Sequence, residues 1–217
     1  MPALRGSFTY TRFFVTGDMP EDFREKFMRS IRLRAMKPLE PDDEDLERSG
    51  WVKLGEPFVN ELTYDDVFYN EYLNLGFRTD RWVLPGPVLK VRMKEAETAY
   101  LAKKGREKLS KSEKAELKLL VAKKLKKTME PATRVVDVSW SMNEGLVRFF
   151  SHAQKSGALM AELFKRTFGL DLVPESPYTL AARIGLDPPQ EAAWNELEMT
   201  YLATERAGAN DEAAEEE

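Results

Sequence analysis

The chain of 217 residues contains no cysteine and a single histidine. The first absence excludes a disulfide framework and any zinc site built on thiolates, and it suits a reducing cytosol. The second leaves His152 as the sole imidazole, so a Ser-His-Asp triad would depend on it alone. No nucleophile elbow surrounds it. Placed after a strand and at the start of a helix, His152 reads as a capping or surface residue. No stretch approaches the roughly 18 consecutive apolar residues of a membrane helix. Met1 to Val15 carries no apolar run behind basic residues of the kind that marks a secretory signal. A soluble, cytoplasmic protein is expected. Phosphate-cradling glycine loops are also missing. Pro85-Gly86-Pro87 lacks the G-x-x-x-x-G-K-[ST] spacing, and its prolines remove backbone N–H groups that such a cradle needs. Neither an NTPase nor a dinucleotide enzyme is expected, and no cofactor or metal. The densest acid cluster, Asp42-Asp43-Glu44-Asp45, is where a carboxylate-only magnesium site would be sought. Its Pro-bounded setting predicts a solvated loop instead.

Against these absences stands an uneven distribution of charge. The net value is −4, yet fourteen Lys/Arg face five Asp/Glu between Lys90 and Lys127. The acid lies elsewhere, in Glu40 to Glu47 and in the tail from Glu205. Charge segregated by segment informs about partners better than a mean does. Twelve Phe, seven Tyr and four Trp are enough aromatic side chains for a packed core.

Alternation of Phe8, Tyr10, Arg12 and Phe14 predicts a strand over 7–15, and Pro20 then opens a helix to about Met36. Phe23, Phe27 and Ile31 face the core, leaving Arg24, Arg29, Arg32 and Arg34 largely on the other faces. Ser49-Gly50-Trp51-Val52 enters a short strand, and Asp66 to Phe77 alternates as a half-buried one. After Pro85-Gly86-Pro87 the character changes. Leu89, Met93, Ala96 and Tyr100 form one narrow helical stripe, and Leu117, Leu120, Val121 and Leu125 a second. Gly105 and Ser110 bracket a turn, the alternative being a continuous helix with a weak point there. Ser110-Lys111-Ser112-Glu113 fits a capping box. Two wet helices with thin seams predict an antiparallel hairpin standing off the body. Beyond Pro131, Val136, Val138 and Trp140 alternate, Asn143-Glu144-Gly145 turns, and Leu146 to Phe150 returns as a β-hairpin. A helix over 151–168 ends at Gly169. Shorter helices follow at Tyr178 to Ile184 and from Gln190 to about Arg206, then a disordered acidic tail. The expected class is α+β: small antiparallel sheets packed with helices, plus a protruding basic hairpin. The segments are 1–84, 85–130, 131–206 and the tail 207–217.

The basic arm is the positive functional signal. Lys103, Lys104, Arg106, Lys108, Lys111 and Lys114 gather about its expected turn, Lys118 lies along the second helix, and Lys123, Lys124, Lys126 and Lys127 sit at its far end. Ammonium groups on long stems follow phosphates without reading bases. These residues are the candidate contacts to double-stranded DNA, with binding that tolerates sequence and falls with salt. Aromatics do not interleave with the lysines as on a single-strand stacking platform. The alternative is a protein-interaction module that no longer binds DNA, whose arm meets an acidic partner or whose acidic tail occupies a basic one.

The order of features resembles the RdgC family of bacterial recombination-associated proteins. The matching residues are an aromatic strand and helix, then Gly50-Trp51-Val52 and Val83-Leu84-Pro85-Gly86-Pro87-Val88-Leu89-Lys90. Lys111-Ser112-Glu113-Lys114, Asn143-Glu144-Gly145-Leu146 and Leu172-Val173-Pro174 follow. The resemblance spans about Ser7 to Pro177. It implies a non-enzymatic, cytoplasmic and nucleoid-associated protein that binds duplex DNA, dimerises into a ring and restrains a RecA-type recombinase indirectly. Relative to the family pattern the chain is C-terminally shortened. The Leu-Pro-Arg-Ala-Phe type of stretch after the second arm helix is replaced by Leu125-Lys126-Lys127-Thr128-Met129-Glu130-Pro131. An open clamp, a different oligomer or a lost DNA role is the set of expectations that follows.

Overall fold

A computed structural model describes residues 9–197. They divide after Glu175 into two compact units. The fold is α+β. In the first unit, strands β1 (Thr11–Thr16), β2 (Glu47–Val52), β3 (Phe68–Tyr69), β4 (Tyr72–Arg81), β5 (Ala132–Ser141), β6 (Leu146–Phe149) and β7 (Asp171–Pro174) build one sheet. Its order is β2-β4-β5-β6-β1-β7, with β3 paired to β4, and every pairing is antiparallel. Strands expected to form small separate sheets before and after the arm thus join. The ten-residue ladder from Tyr72↔Ser141 to Arg81↔Ala132 makes the connection.

Helices α1 (Phe23–Leu33) and α5 (Gln154–Phe168) contribute to the core formed with the sheet. Phe27 and Ile31 are buried and Phe23 packs at the margin, as the four-residue spacing predicts. The core is aromatic: Phe27 lies 4.9 Å from Phe168 and 5.7 Å from Trp140, and Trp140 lies 5.2 Å from Phe164, between ring centres. Such tilted and edge-on pairs add to the burial of their area. Trp51 is fully enclosed, and its Nε1 donates to Thr167 Oγ1 at 2.9 Å.

Several expectations change in detail. The first strand begins at Thr11, and residues 7 and 8 lie outside the described residues. Its core side is that of Phe13, whereas Arg12 is exposed and pairs with Glu175. Helix α1 is shorter than Pro20 to Met36, because residues 34–36 turn alongside β2. Met36 N–H donates to Trp51 O at 2.8 Å, and Trp51 N–H to Arg34 O at 3.0 Å. A side chain at Gly50 would place its Cβ 2.5 Å from Met36 Cα, so glycine permits this approach.

Asp66 to Phe77 is not one strand. A short helix α2 (Tyr64–Val67) runs into the β3–β4 hairpin, which turns at Asn70 with φ 53°. Asn tolerates that left-handed conformation, and simple alternation concealed it. Strand β7 was not anticipated, and α5 begins at Gln154 rather than Ser151.

The second unit carries α6 (Pro177–Ile184) and α7 (Pro188–Asn195). Ser176 Oγ accepts from Thr179 N–H, and Asp187 Oδ1 from Gln190 N–H, so each helix has a side-chain cap. Helix α7 begins at Pro188 rather than Gln190 and ends at Asn195, short of the expected Arg206, because the chain leaves the helix at its C-cap Glu196; the acidic tail lies outside the described residues. Among those described, no helix is long and apolar enough to cross a membrane.

Candidate nucleic-acid interface

The arm is the connection between two neighbouring strands. Its entry at Arg81 and exit at Ala132 are register partners in the sheet, so a 50-residue excursion starts and ends at one place. Helix α3 (Gly86–Lys104) opens with Pro87 in its first turn, where a missing N–H costs nothing. It stops at Gly105, whose φ of 61° is the left-handed cap conformation. Helix α4 (Lys111–Lys126) starts on a complete capping box: Glu113 N–H donates to Ser110 Oγ at 3.2 Å, and Ser110 N–H to Glu113 Oε2 at 2.9 Å. The same carboxylate accepts from Tyr100 Oη at 3.2 Å and pairs with Arg106 at 3.3 Å, tying the tip together. Hydrogen bonds from the Ser110 backbone and hydroxyl hold the Glu113 carboxyl below its ordinary pKa, with smaller help from Tyr100 and Arg106. The turn expected at Gly105 to Ser110 is therefore present.

The seam of the hairpin is thin. No residue of α3 is buried, and α4 buries only Val121, Leu125 and Lys126, at the root. Leu120 was expected in the seam but is 57% exposed. With so little apolar area enclosed, helix propensity, caps and ion pairs carry most of the arm's order.

The candidate contacts divide into two sets. Lys103, Lys108, Lys111, Lys118 and Lys124 are exposed, and none has an ion-pair partner among the described residues. Lys111, Lys114 and Lys118 follow at three- and four-residue steps and so share a face of α4. Lys114 is also exposed but reaches Glu97 at 3.2 Å, while Lys104 and Arg106 lean toward Glu113. Lys104 Nζ lies 4.9 Å from the centre of the Tyr100 ring. Lys90 and Lys94 are equally exposed on α3. Their place inside the basic segment is the signal that could have found them, although the clustering of charge points to contacts only from Lys103 onward.

The second set is engaged by the body. Lys123 Nζ is 2.7 Å from Asp42 Oδ1 and Lys127 Nζ 3.8 Å from Asp42 Oδ2. The hydrogen bond from Lys123 holds the Asp42 carboxyl below its usual range. Lys126 is 7% exposed; its Nζ donates to Asp43 O at 3.3 Å and lies 5.6 Å from the centre of the Trp82 ring. The acidic loop, expected to be simply solvated, is thus bound to the arm's root. Sequence alone carries no sign of it, since more than 80 residues separate the partners.

His152 is exposed, with Nδ1 3.4 Å from Thr11 Oγ1, at an apolar cavity of about 480 Å³ lined by Phe13, Phe149, Leu172 and the start of α5. Among the described residues, no group of three His, Asp or Glu side chains is placed to hold a metal ion. No protein-family model matches the chain, and no curated protein sequence matches it at a significant level.

Proposed function

We propose that this protein grips duplex DNA through its sugar–phosphate backbone, with the arm as the gripping element and little preference for sequence. The single observation that carries the reading is the set of exposed lysines on a helical hairpin that have no ion-pair partner among the described residues, Lys103, Lys108, Lys111, Lys118 and Lys124. Two helices side by side are about 20 Å across, against about 12 Å for the major groove. The hairpin therefore rides on the phosphates rather than sinking between them. The free cations of the arm among the described residues are lysines, which neutralise phosphate as point charges and lack the planar fork of arginine.

The resemblance to the RdgC family supports the same reading. It extends it to a homodimeric, nucleoid-associated protein that limits the access of a RecA-type recombinase to DNA without catalysing a reaction. The test is fluorescence anisotropy with two labelled duplexes of unrelated sequence, at about 50 and 200 mM salt, where backbone binding changes most. Equal affinity for both duplexes and a steep loss with salt are expected. Absence of binding at the lower salt, or strong preference for one duplex, overturns the proposal.

A further inference from the structure

We propose that the acidic loop around Asp42 is a built-in competitor for polyanions, occupying the root lysines of the arm until phosphate displaces it. This rests on the duplex-binding reading above. The loop is fastened to the body independently of Asp42. Arg48 pairs with Asp43 at 2.9 Å and Asp45 at 3.1 Å and donates to Pro38 O at 2.8 Å, while Leu39 is buried. Glu40 N–H donates to Asp43 Oδ2 at 2.9 Å. Asp42 itself projects from this frame as a presented charge, and its carboxylate meets both Lys123 and Lys127.

The three side chains are each half exposed or more: Asp42 58%, Lys123 50% and Lys127 56%. Ion pairs this wet contribute little to stability and exchange readily. The root has other anchors, the burial of Val121 and Leu125 and the Lys126 ammonium over Trp82. Removing the Asp42 carboxylate therefore leaves the arm seated. On α4 Lys124 lies one turn from Lys127, and Lys127 one turn from Lys123, so a phosphate held at Lys124 meets these two cations next and takes the place of a carboxylate of the same sign. The body sets the grip at a moderate strength by holding these two cations back, so they engage only when a polyanion reaches the root of the arm.

The experiment compares wild type, Asp42→Asn, and Asp42→Asn combined with Lys123→Gln and Lys127→Gln, each titrated into a labelled duplex over about 50–200 mM salt. Asp42→Asn should tighten binding about threefold to tenfold at the lower salt and steepen the salt slope by about one to two, as two more phosphates are neutralised. The triple variant should lose that gain, and thermal unfolding should show Asp42→Asn folded like wild type. Wild-type binding with an unchanged or weaker Asp42→Asn variant overturns the competitor role alone, as does a triple variant as tight as Asp42→Asn. Failure of both wild type and Asp42→Asn to bind the duplex overturns the competitor role together with the proposed function.

Discussion

The body and the arm are built on opposite principles. In the body, Trp51, Trp140, Phe77 and Phe149 are sealed between sheet and helices, and burial of apolar area dominates its stability. In the arm, a 19-residue helix fully buries no side chain, and its outer surface is given over largely to charge. A body of this kind resists substitution and carries little information about partners. An arm of this kind tolerates substitution, and what it presents is a layout of charge. The difference teaches where to look for function: in the element whose structure its own packing explains least.

The largest effect is expected in the body. Trp51→Ala should cost about 3–5 kcal/mol in urea unfolding, from lost area, a cavity and the lost hydrogen bond to Thr167, whose hydroxyl still donates to Leu163 O. Gly50→Ala should cost about 1–3 kcal/mol, because the new methyl meets Met36 backbone rather than a yielding side chain. In the arm the same kind of change separates root from tip. Leu125→Ala should cost about 2 kcal/mol, whereas Leu119→Ala, at a position 71% exposed, should stay within about 0.5 kcal/mol. Equal costs at Leu125 and Leu119 would contradict the thin seam. Ser110→Ala removes the cap of α4 and should weaken that helix by about 1 kcal/mol. Faster amide exchange confined to the arm is the readout, since the body holds the global transition.

The smallest effect is a local titration in the body. Hydrogen bonds from the Thr63 hydroxyl and backbone, with a smaller one from Lys53, lower the Asp66 carboxyl from 3.8 to about 2. A depressed carboxyl contributes stability that is whole above the unfolded value and lost as pH falls through the folded one. The capping contact at the start of α2 should therefore persist to pH 4 and disappear toward pH 2, as side-chain NMR can follow. In Thr63→Ala the midpoint should move back toward the ordinary value.

Much of this was legible from local chemistry. Caps and turns at Gly105, Ser110, Gly145 and Gly169 lie where backbone rules put them, and the period of Phe23, Phe27 and Ile31 marks the buried face of α1. Long-range pairing was not legible. Nothing local says that β4 and β5 adjoin across the arm, so one sheet read as several. Asn70 hid a turn inside an apparent strand, because Asn enters the left-handed region without the signature of glycine. For the candidate interface, the basic segment was plain from charge counting. Its division into free and engaged lysines was not, since Asp42 approaches Lys123 only in the folded chain.

The most direct test removes four of the free charges of the arm and leaves the fold alone. Lys103, Lys108, Lys111 and Lys118 are changed together to Gln, and duplex affinity is followed across about 50–200 mM salt beside urea unfolding. Unfolding should match wild type, because these side chains are exposed and form no ion pair among the described residues. Affinity should fall for every duplex alike, and the salt slope should flatten by roughly 0.9 for each phosphate that is no longer neutralised. A variant that unfolds normally yet binds duplex as tightly, and with the same salt slope as wild type, would contradict the arm as the gripping element.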